Sequence, residues 1–425
     1  MFKGFFMVAS LICYANGASF LGLQFNQQAP LVSDITANVI EGSYIVTFKD
    51  GINPEDSLYK KHFESINGYI AIRGANDKSN QITHVYKHAL NGYSGKFDNS
   101  LIEYIRSSPE VKYVEKDQTV NLAATQSRSP WGLARMSTRS KLDGSKNYKY
   151  VYDADGGSGV TVYVVDTGIN TSHVDFEGRA VWGANYIAGE GSVDSNGHGT
   201  HVAGTVGSKT YGIAKKTKIV AVKVLNSGGS GSLSGVLKGI EYTVSATLRE
   251  ISEARINGRA APRSVANMSL GAGYSSTLNT AVQNAVAAGI TYVVAAGNEN
   301  QNACNTSPAS AATAISVGSI DVSDKRSYFS NYGKCVSIFA PGGGIISTWI
   351  GSNTATNTIS GTSMASPHVA GLAAYFISLD PTLDTPQKVK EMLIRTATPN
   401  AIANVGAESS NLLAYNYPPS DFKFF

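Results

Sequence analysis

From Gly159 onward the chain repeats one pattern: a short unbroken apolar run, then a stretch with helical spacing. The runs are VTVYVV (160–165), KIVAVKVL (218–225), SVANMSL (264–270), ITYVVAA (290–296), AISVGSI (314–320) and CVSIFA (335–340). A strand with one wet face alternates apolar and polar side chains, so a run without alternation is covered on both faces. Helical patterns lie between several runs, in GTHVAGTVGS, LSGVLKGIEYTVSATLREI and LNTAVQNAVAAG. This alternation predicts an α/β fold, a parallel sheet flanked by helices. A chain of 425 residues, 42% hydrophobic, fills such a core and leaves room for a second unit.

The second unit lies upstream. SYIVTFK (43–49) alternates like a half-buried strand. A helix-like segment after Pro54, THVYKHAL, GYSGKF, the helix-like NSLIEYIRSS and VKYVEKDQTV follow. The order strand, helix, two strands, helix, strand predicts a small α+β sandwich of the split βαβ type. Residues 121–130, NLAATQSRSP, are polar and small and read as an exposed linker. The opening MFKGFFMVASLICYANGAS has one lysine, an apolar stretch and a small-residue exit, the signature of a secretory signal peptide over residues 1–18. No later apolar run reaches membrane-spanning length, so no membrane partner is expected. The net charge of +4 is too slight and dispersed for nucleic acid.

Cys13 leaves with the signal. Cys304 and Cys335 remain, so one internal disulfide is allowed in a secreted chain. Its closure would contribute about 3–4 kcal/mol in the chain-entropy account. Whether the two thiols meet is not readable from spacing. Sequons begin at Asn170, Asn267 and Asn305. Asn267 falls in an apolar strand-like run and is set aside, leaving Asn170 and Asn305 as glycosylation candidates.

In an open α/β sheet, chemistry gathers beyond the carboxyl ends of the strands. Those ends carry Asp166-Thr-Gly, Leu225-Asn-Ser-Gly-Gly-Ser-Gly, Ser269-Leu-Gly-Ala-Gly and Ala295-Ala-Gly-Asn298. His198 opens a small-residue helix, and Ser363, in GTSMASPHVAG, opens an apolar one that runs to Leu379. Singly, each has a plain structural use: Asp166 in a turn, His198 and Ser363 as helix caps, Asn298 in a loop. His198 and His201 have no glutamate between them, so the HExxH zinc pattern is absent and no metal is expected. GGSGS (228–232) meets neither dinucleotide nor P-loop spacing. Together the four residues make a set. A serine hydroxyl needs an adjacent base, the imidazole needs a carboxylate to orient it, and a tetrahedral oxyanion needs donors placed beforehand. Ser363, His198, Asp166 and Asn298 supply one residue for each task, with the Ser363 N–H as a second donor.

VVDTGIN, HGTHVAGT, SLGAG, AAGN and GTSMASPHVAG, in this order, resemble the motif set of subtilisin-like serine proteases. PWGLAR, YGIAKK, SPAS, FSNYG and STWIG resemble the fungal proteinase K-type branch, and the resemblance covers roughly residues 120–417. It implies a secreted serine endopeptidase of acyl-enzyme mechanism: Ser363 as nucleophile, His198 as base then acid, Asp166 as orienting carboxylate, Asn298 as oxyanion donor. It implies two substrate-pairing edges, Gly228, Gly229 and Gly231 on one side, Ser269, Leu270, Gly271 and Gly273 on the other. It implies a roomy, uncharged, apolar pocket walled by Ala295, Ala296 and Gly297 and by Gly271–Gly273, preferring aromatic and aliphatic residues before the scissile bond. The N-terminal sandwich resembles the propeptides that serve such enzymes as chaperone and inhibitor. The expected division is signal 1–18, propeptide 19–123 and catalytic domain 124–425, with self-cleavage next to Ala123. The expected partners are peptide and protein substrates and the chain's own propeptide, on a monomer. One departure stands out: where many relatives place a calcium-binding aspartate, this chain has Ser337. A neutral hydroxyl is a poor calcium ligand beside a carboxylate, so that site is expected to be missing and no cofactor to be required. A catalytically dead binding protein is the weaker reading, since none of the four positions is substituted. The chain order Asp, His, Ser argues against a third reading, an esterase of another fold, since α/β-hydrolases run Ser, acid, His.

Overall fold

The computed structural model describes residues 28–32, 39–72, 79–87, 90–118 and 123–418. The signal-peptide expectation falls outside these residues. The chain divides into two compact units, Met1–Gln118 and Thr119–Phe425.

The first unit runs β1 (Leu31–Val32), β2 (Val39–Phe48), α1 (Ser57–Ile72), β3 (Gln81–Tyr86), β4 (Gly92–Lys96), α2 (Asn99–Arg106) and β5 (Val111–Gln118). Its sheet has the order β1-β5-β2-β4-β3, with β2 antiparallel to both neighbours. Alternation does the work: Tyr44, Val46 and Phe48 of β2 turn one face to a core shared with Ile66, Leu101 and Ile105 of the two helices. Asp98 caps α2, its carboxylate accepting the Leu101 N–H at 2.8 Å.

The second unit begins with β6 (Ala123–Ser127), α3 (Trp131–Met136), β7 (Lys149–Asp153), β8 (Val160–Asp166) and β9 (Ala180–Asn185). It continues with α4 (His198–Gly207), β10 (Lys218–Lys223), α5 (Leu233–Ile256), β11 (Arg263–Met268), β12 (Ala272–Gly273), α6 (Ser276–Ala287) and β13 (Ile290–Ala295). It ends with β14 (Thr306–Ser307), β15 (Ile315–Ile320), β16 (Ile338–Pro341), β17 (Ile345–Thr348), β18 (Thr356–Ile359), α7 (Thr362–Leu379), α8 (Pro386–Thr396), β19 (Thr398–Pro399) and β20 (Leu412–Leu413). The main sheet has the order β19-β20-β16-β15-β13-β11-β8-β10-β9. Its pairs from β9 to β16 are all parallel.

Every residue of β8, β13 and β15 is buried, as an unbroken apolar run requires. On one face Val162 and Val164 pack against Val202 and Val206 of α4 and Val369 and Leu372 of α7. On the other, Val165 and Val222 pack against Ile240 of α5 and Leu278 and Val282 of α6. No helix among the described residues is long and apolar enough to cross a membrane.

Two expectations fail. The stretch read as a linker is in part a strand: β6 pairs antiparallel with β7, Ala124 opposite Tyr152 and Gln126 opposite Tyr150. Thr125 and Ser127 are exposed, so the segment looks like a loop in composition while its backbone is paired. The CVSIFA strand starts only at Ile338, and Cys335 ahead of it is disulfide-bonded to Cys304.

Candidate active site

Parallel strands all point the same way, so the helix starts that follow them collect at one rim. Asp166 closes β8 there and is fully buried. Its Oδ1 lies 2.7 Å from His198 Nδ1 and also accepts the Thr167 N–H at 2.7 Å. This bond ties up Nδ1 and leaves Nε2 as the ring nitrogen able to meet another group, on a side chain one quarter exposed. Burial disfavours the imidazolium, but the charge and hydrogen bond of Asp166, helped by Asp194, outweigh it and hold His198 above its usual 6.5.

Asp194, which spacing did not single out, fixes this corner. Its Oδ1 accepts from Thr167 Oγ1 and the Gly197 N–H, both at 2.9 Å, and its Oδ2 accepts from Thr200 N and Oγ1. One carboxylate thereby binds the end of β8 to the first turn of α4. In the sequence it is one more acidic residue in a polar loop, with nothing to mark it.

Ser363 is the second residue of α7 and does not cap it; the cap position is Gly361, with no side-chain bond. Its hydroxyl donates to the Ser269 carbonyl at 3.2 Å, while Ser269 Oγ donates to the Ser363 carbonyl at 2.8 Å. β8 and β11 are neighbours with Val164 opposite Asn267. Asp166 and Ser269, each two residues further, therefore leave the sheet side by side, about one strand spacing or ~4.8 Å apart. The fold thus gathers Asp166, His198 and Ser363 at one corner of the rim. In this rotamer the serine proton goes to Ser269, and no hydrogen bond joins Ser363 to His198 among the described residues.

Asn298 follows β13. Its Oδ1 accepts from Thr362 N at 2.8 Å and Thr362 Oγ1 at 2.9 Å, so the amide is held by its oxygen and the NH₂ end is left to donate. The Ser363 N–H lies in the first turn of α7, where the helix offers no acceptor. Both donors border a cavity of about 380 Å³ whose lining includes Leu270, Gly271, Gly273, Ala295, Gly297, Asn298 and Ser363.

Other expected positions fall elsewhere. Ala296 does not line the cavity: it is fully buried and packs with Ala303, Ala309 and Val336, because adjacent residues of an extended segment face opposite ways. The wall is not uncharged either, since Glu299 lines it together with Gln301, Asn305, Thr306 and Ser307. Gly228, Gly229 and Gly231 are absent from the lining and sit on a separate exposed turn. There Asn226 Oδ1 accepts the N–H of Gly228 and of Ser230, and Gly229 has φ +77°. Gly231 runs so close to the Val224 carbonyl that a side chain would collide with it.

Cys304 and Cys335 are bonded, with Cα atoms 5.3 Å apart, beside the Asn305–Ser307 wall. The Ser337 hydroxyl accepts the Ser316 N–H at 3.3 Å and brings no charge. No group of three or more His, Cys, Asp or Glu among the described residues could hold a metal ion. Asn305 is exposed, Asn170 is half-buried with its amide donating to the Ser352 carbonyl at 3.3 Å, and Asn267 is fully buried between Ser269 and Ser366.

Residues 157–414 match the subtilase family model, and residues 43–123 match that of peptidase inhibitor I9. A subtilisin-like protease of Coccidioides posadasii is 48% identical over 413 residues, 91% of this chain and 83% of its own. The subtilisin-like serine protease Pen c 2 of Penicillium citrinum is 47% identical over 92% of this chain and 91% of its own. The crystal structure of a cold-adapted subtilisin-like serine proteinase aligns with a TM-score of 0.60 at 43% identity, covering 68% of this chain and 98% of that one. The chain belongs to the subtilase family: it is a subtilisin-like serine endopeptidase with an inhibitor I9 propeptide ahead of its protease domain.

Proposed function

We propose that Asp166, His198 and Ser363 form the catalytic triad and that Asn298 is the side-chain oxyanion donor. The observation that carries this reading is the 2.7 Å bond between buried Asp166 and His198, beside a serine hydroxyl bonded to the neighbouring Ser269. Rotation about χ1 takes the Ser363 hydroxyl from Ser269 to His198 Nε2; such bonds are often unmade before substrate arrives. His198 takes the proton as Ser363 Oγ attacks the scissile carbonyl carbon. The oxyanion is received by Asn298 Nδ2 and the Ser363 N–H, while Asp166 stabilises the imidazolium. His198 then returns the proton to the leaving amine, and water hydrolyses the acyl-enzyme by the same steps.

The 380 Å³ cavity takes the residue before the scissile bond. Leu270, Ala272 and Ala295 on its wall favour aromatic and aliphatic side chains, and Glu299 makes a basic end acceptable. Gly228, Gly229 and Gly231 meet substrate further along, outside this cavity. The enzyme is secreted as a monomer after loss of residues 1–18, cuts itself between Ala123 and Ala124, holds no calcium at Ser337 and has Asn170 and Asn305 as its glycosylation candidates. The test is hydrolysis of casein with and without a serine-directed sulfonyl fluoride. Proteolysis abolished by the reagent, with its adduct on Ser363, is expected; undiminished proteolysis rejects the triad.

A further inference from the structure

The oxyanion donor stands on a loop, residues 296–301, in which Asn298 and Glu299 are exposed. A donor displaced by about 1 Å loses much of its catalytic worth, so this loop has to be held. Asn331 holds it. The side chain is fully buried, and every hydrogen-bonding position it owns is spent on this loop. Its Nδ2 donates to the Ala296 carbonyl at 2.9 Å and to Glu299 Oε2 at 2.7 Å. Its Oδ1 accepts the Glu299 N–H at 3.1 Å and the Gln301 N–H at 3.0 Å. Its backbone N–H donates to the Gly297 carbonyl at 3.0 Å. The residues on both sides of Asn298 are thus fixed by one amide that does not bond Asn298 itself.

The approach is close. Gly297 has φ +102°, and a Cβ there would collide with Asn331 Nδ2 and Glu299 Oε2. The segment carrying Asn331 is anchored in turn. Asn300 N–H donates to the Phe329 carbonyl at 2.8 Å and Tyr332 N–H to the Gln301 carbonyl at 3.0 Å, and the Cys304–Cys335 disulfide lies a few residues beyond.

We propose that Asn331 is a positioning residue for the oxyanion donor, acting on turnover through Asn298 by fixing the loop that carries it. The proposal rests on the reading of Asn298 given above. It is tested by a double-mutant cycle on mature enzyme with a short chromogenic peptide. Asn331→Ala is expected to lower kcat about 10–10²-fold and to leave KM nearly unchanged. In an Asn298→Ala background the same change is expected to alter kcat less than about threefold, because the group it positions is gone. An equal loss in both backgrounds, or a loss that follows melting temperature alone, overturns the proposal while leaving Asn298 its role. Unchanged turnover in Asn298→Ala alone overturns both.

If Asn331→Ala is not secreted, the isosteric Asn331→Asp serves. It removes both donors and sets a second carboxylate against Glu299. Adding Glu299→Gln restores a donor to the pair with its direction reversed. A double variant faster than Asn331→Asp supports the proposal; one no faster overturns it.

Discussion

At the scale of single residues, the proposed triad makes His198 the group that sets the pH dependence. The base must be neutral to accept the serine proton, so kcat/KM rises as the imidazolium titrates. Asp166 favours the charged form and raises that titration, so the acid limb should lie above pH 6.5. Two other histidines do not interfere, because burial pushes both His201 and His368 down to about 4. Asp166→Asn removes the attraction. The limb should move to lower pH and kcat should fall about 10⁴-fold; a limb that stayed in place would show that the carboxylate does not tune the imidazole. Glu299 can be tested the same way. Glu299→Gln should lower the preference for lysine over phenylalanine before the scissile bond about two- to fivefold, the usual worth of an exposed ion pair. A peptide pair differing at that one position reads it, and an unchanged ratio removes Glu299 from specificity.

Two helices carry the base and nucleophile of the proposed triad: α4 begins with His198 and α7 has Ser363 in its first turn. They pack directly, and Gly371 makes the contact close, since a Cβ there would lie 2.6 Å from the Val206 carbonyl. Gly371→Ala forces the helices apart and should destabilise the unit by about 1–3 kcal/mol, the typical cost of overpacking. Denaturant unfolding measures this, and a variant as stable as the parent would mean the crossing is loose. The helices and strands were legible because their signals are local. α7 occupies the apolar run to Leu379, and β8, β10, β11, β13 and β15 lie on the unbroken runs. β6 was not legible, because its partner β7 supplies pairing that the composition of 121–130 does not reveal.

For the whole molecule, the two units differ in charge. Residues 19–123 hold 10 basic and 12 acidic residues, leaving 24 basic and 19 acidic in the chain after them. If the chain processes itself, Ser363→Ala should accumulate as the uncleaved precursor, while the parent is recovered with Ala124 at its N-terminus. N-terminal sequencing of the secreted protein distinguishes them. Cleavage of Ser363→Ala at the same bond, with no active enzyme present, would assign that cut to another protease.

The sequence alone pointed to the α/β class, to the βαββαβ pattern of the preceding unit without its edge strand β1, and to Asp166, His198, Asn298 and Ser363 as candidates. Burial on both faces erases alternation within a single strand, and residues at strand ends and helix starts carry local marks. Tertiary structure decided what depends on partners far along the chain. It turned Ala296 inward, set Glu299 on the cavity wall, separated the Gly228–Gly231 turn from it, and spent Asn331 on a loop some thirty residues earlier. Periods of 2 and 3.6 residues are written into a segment by its own backbone. The partner of a buried amide is chosen only when distant segments pack, so no local pattern records it.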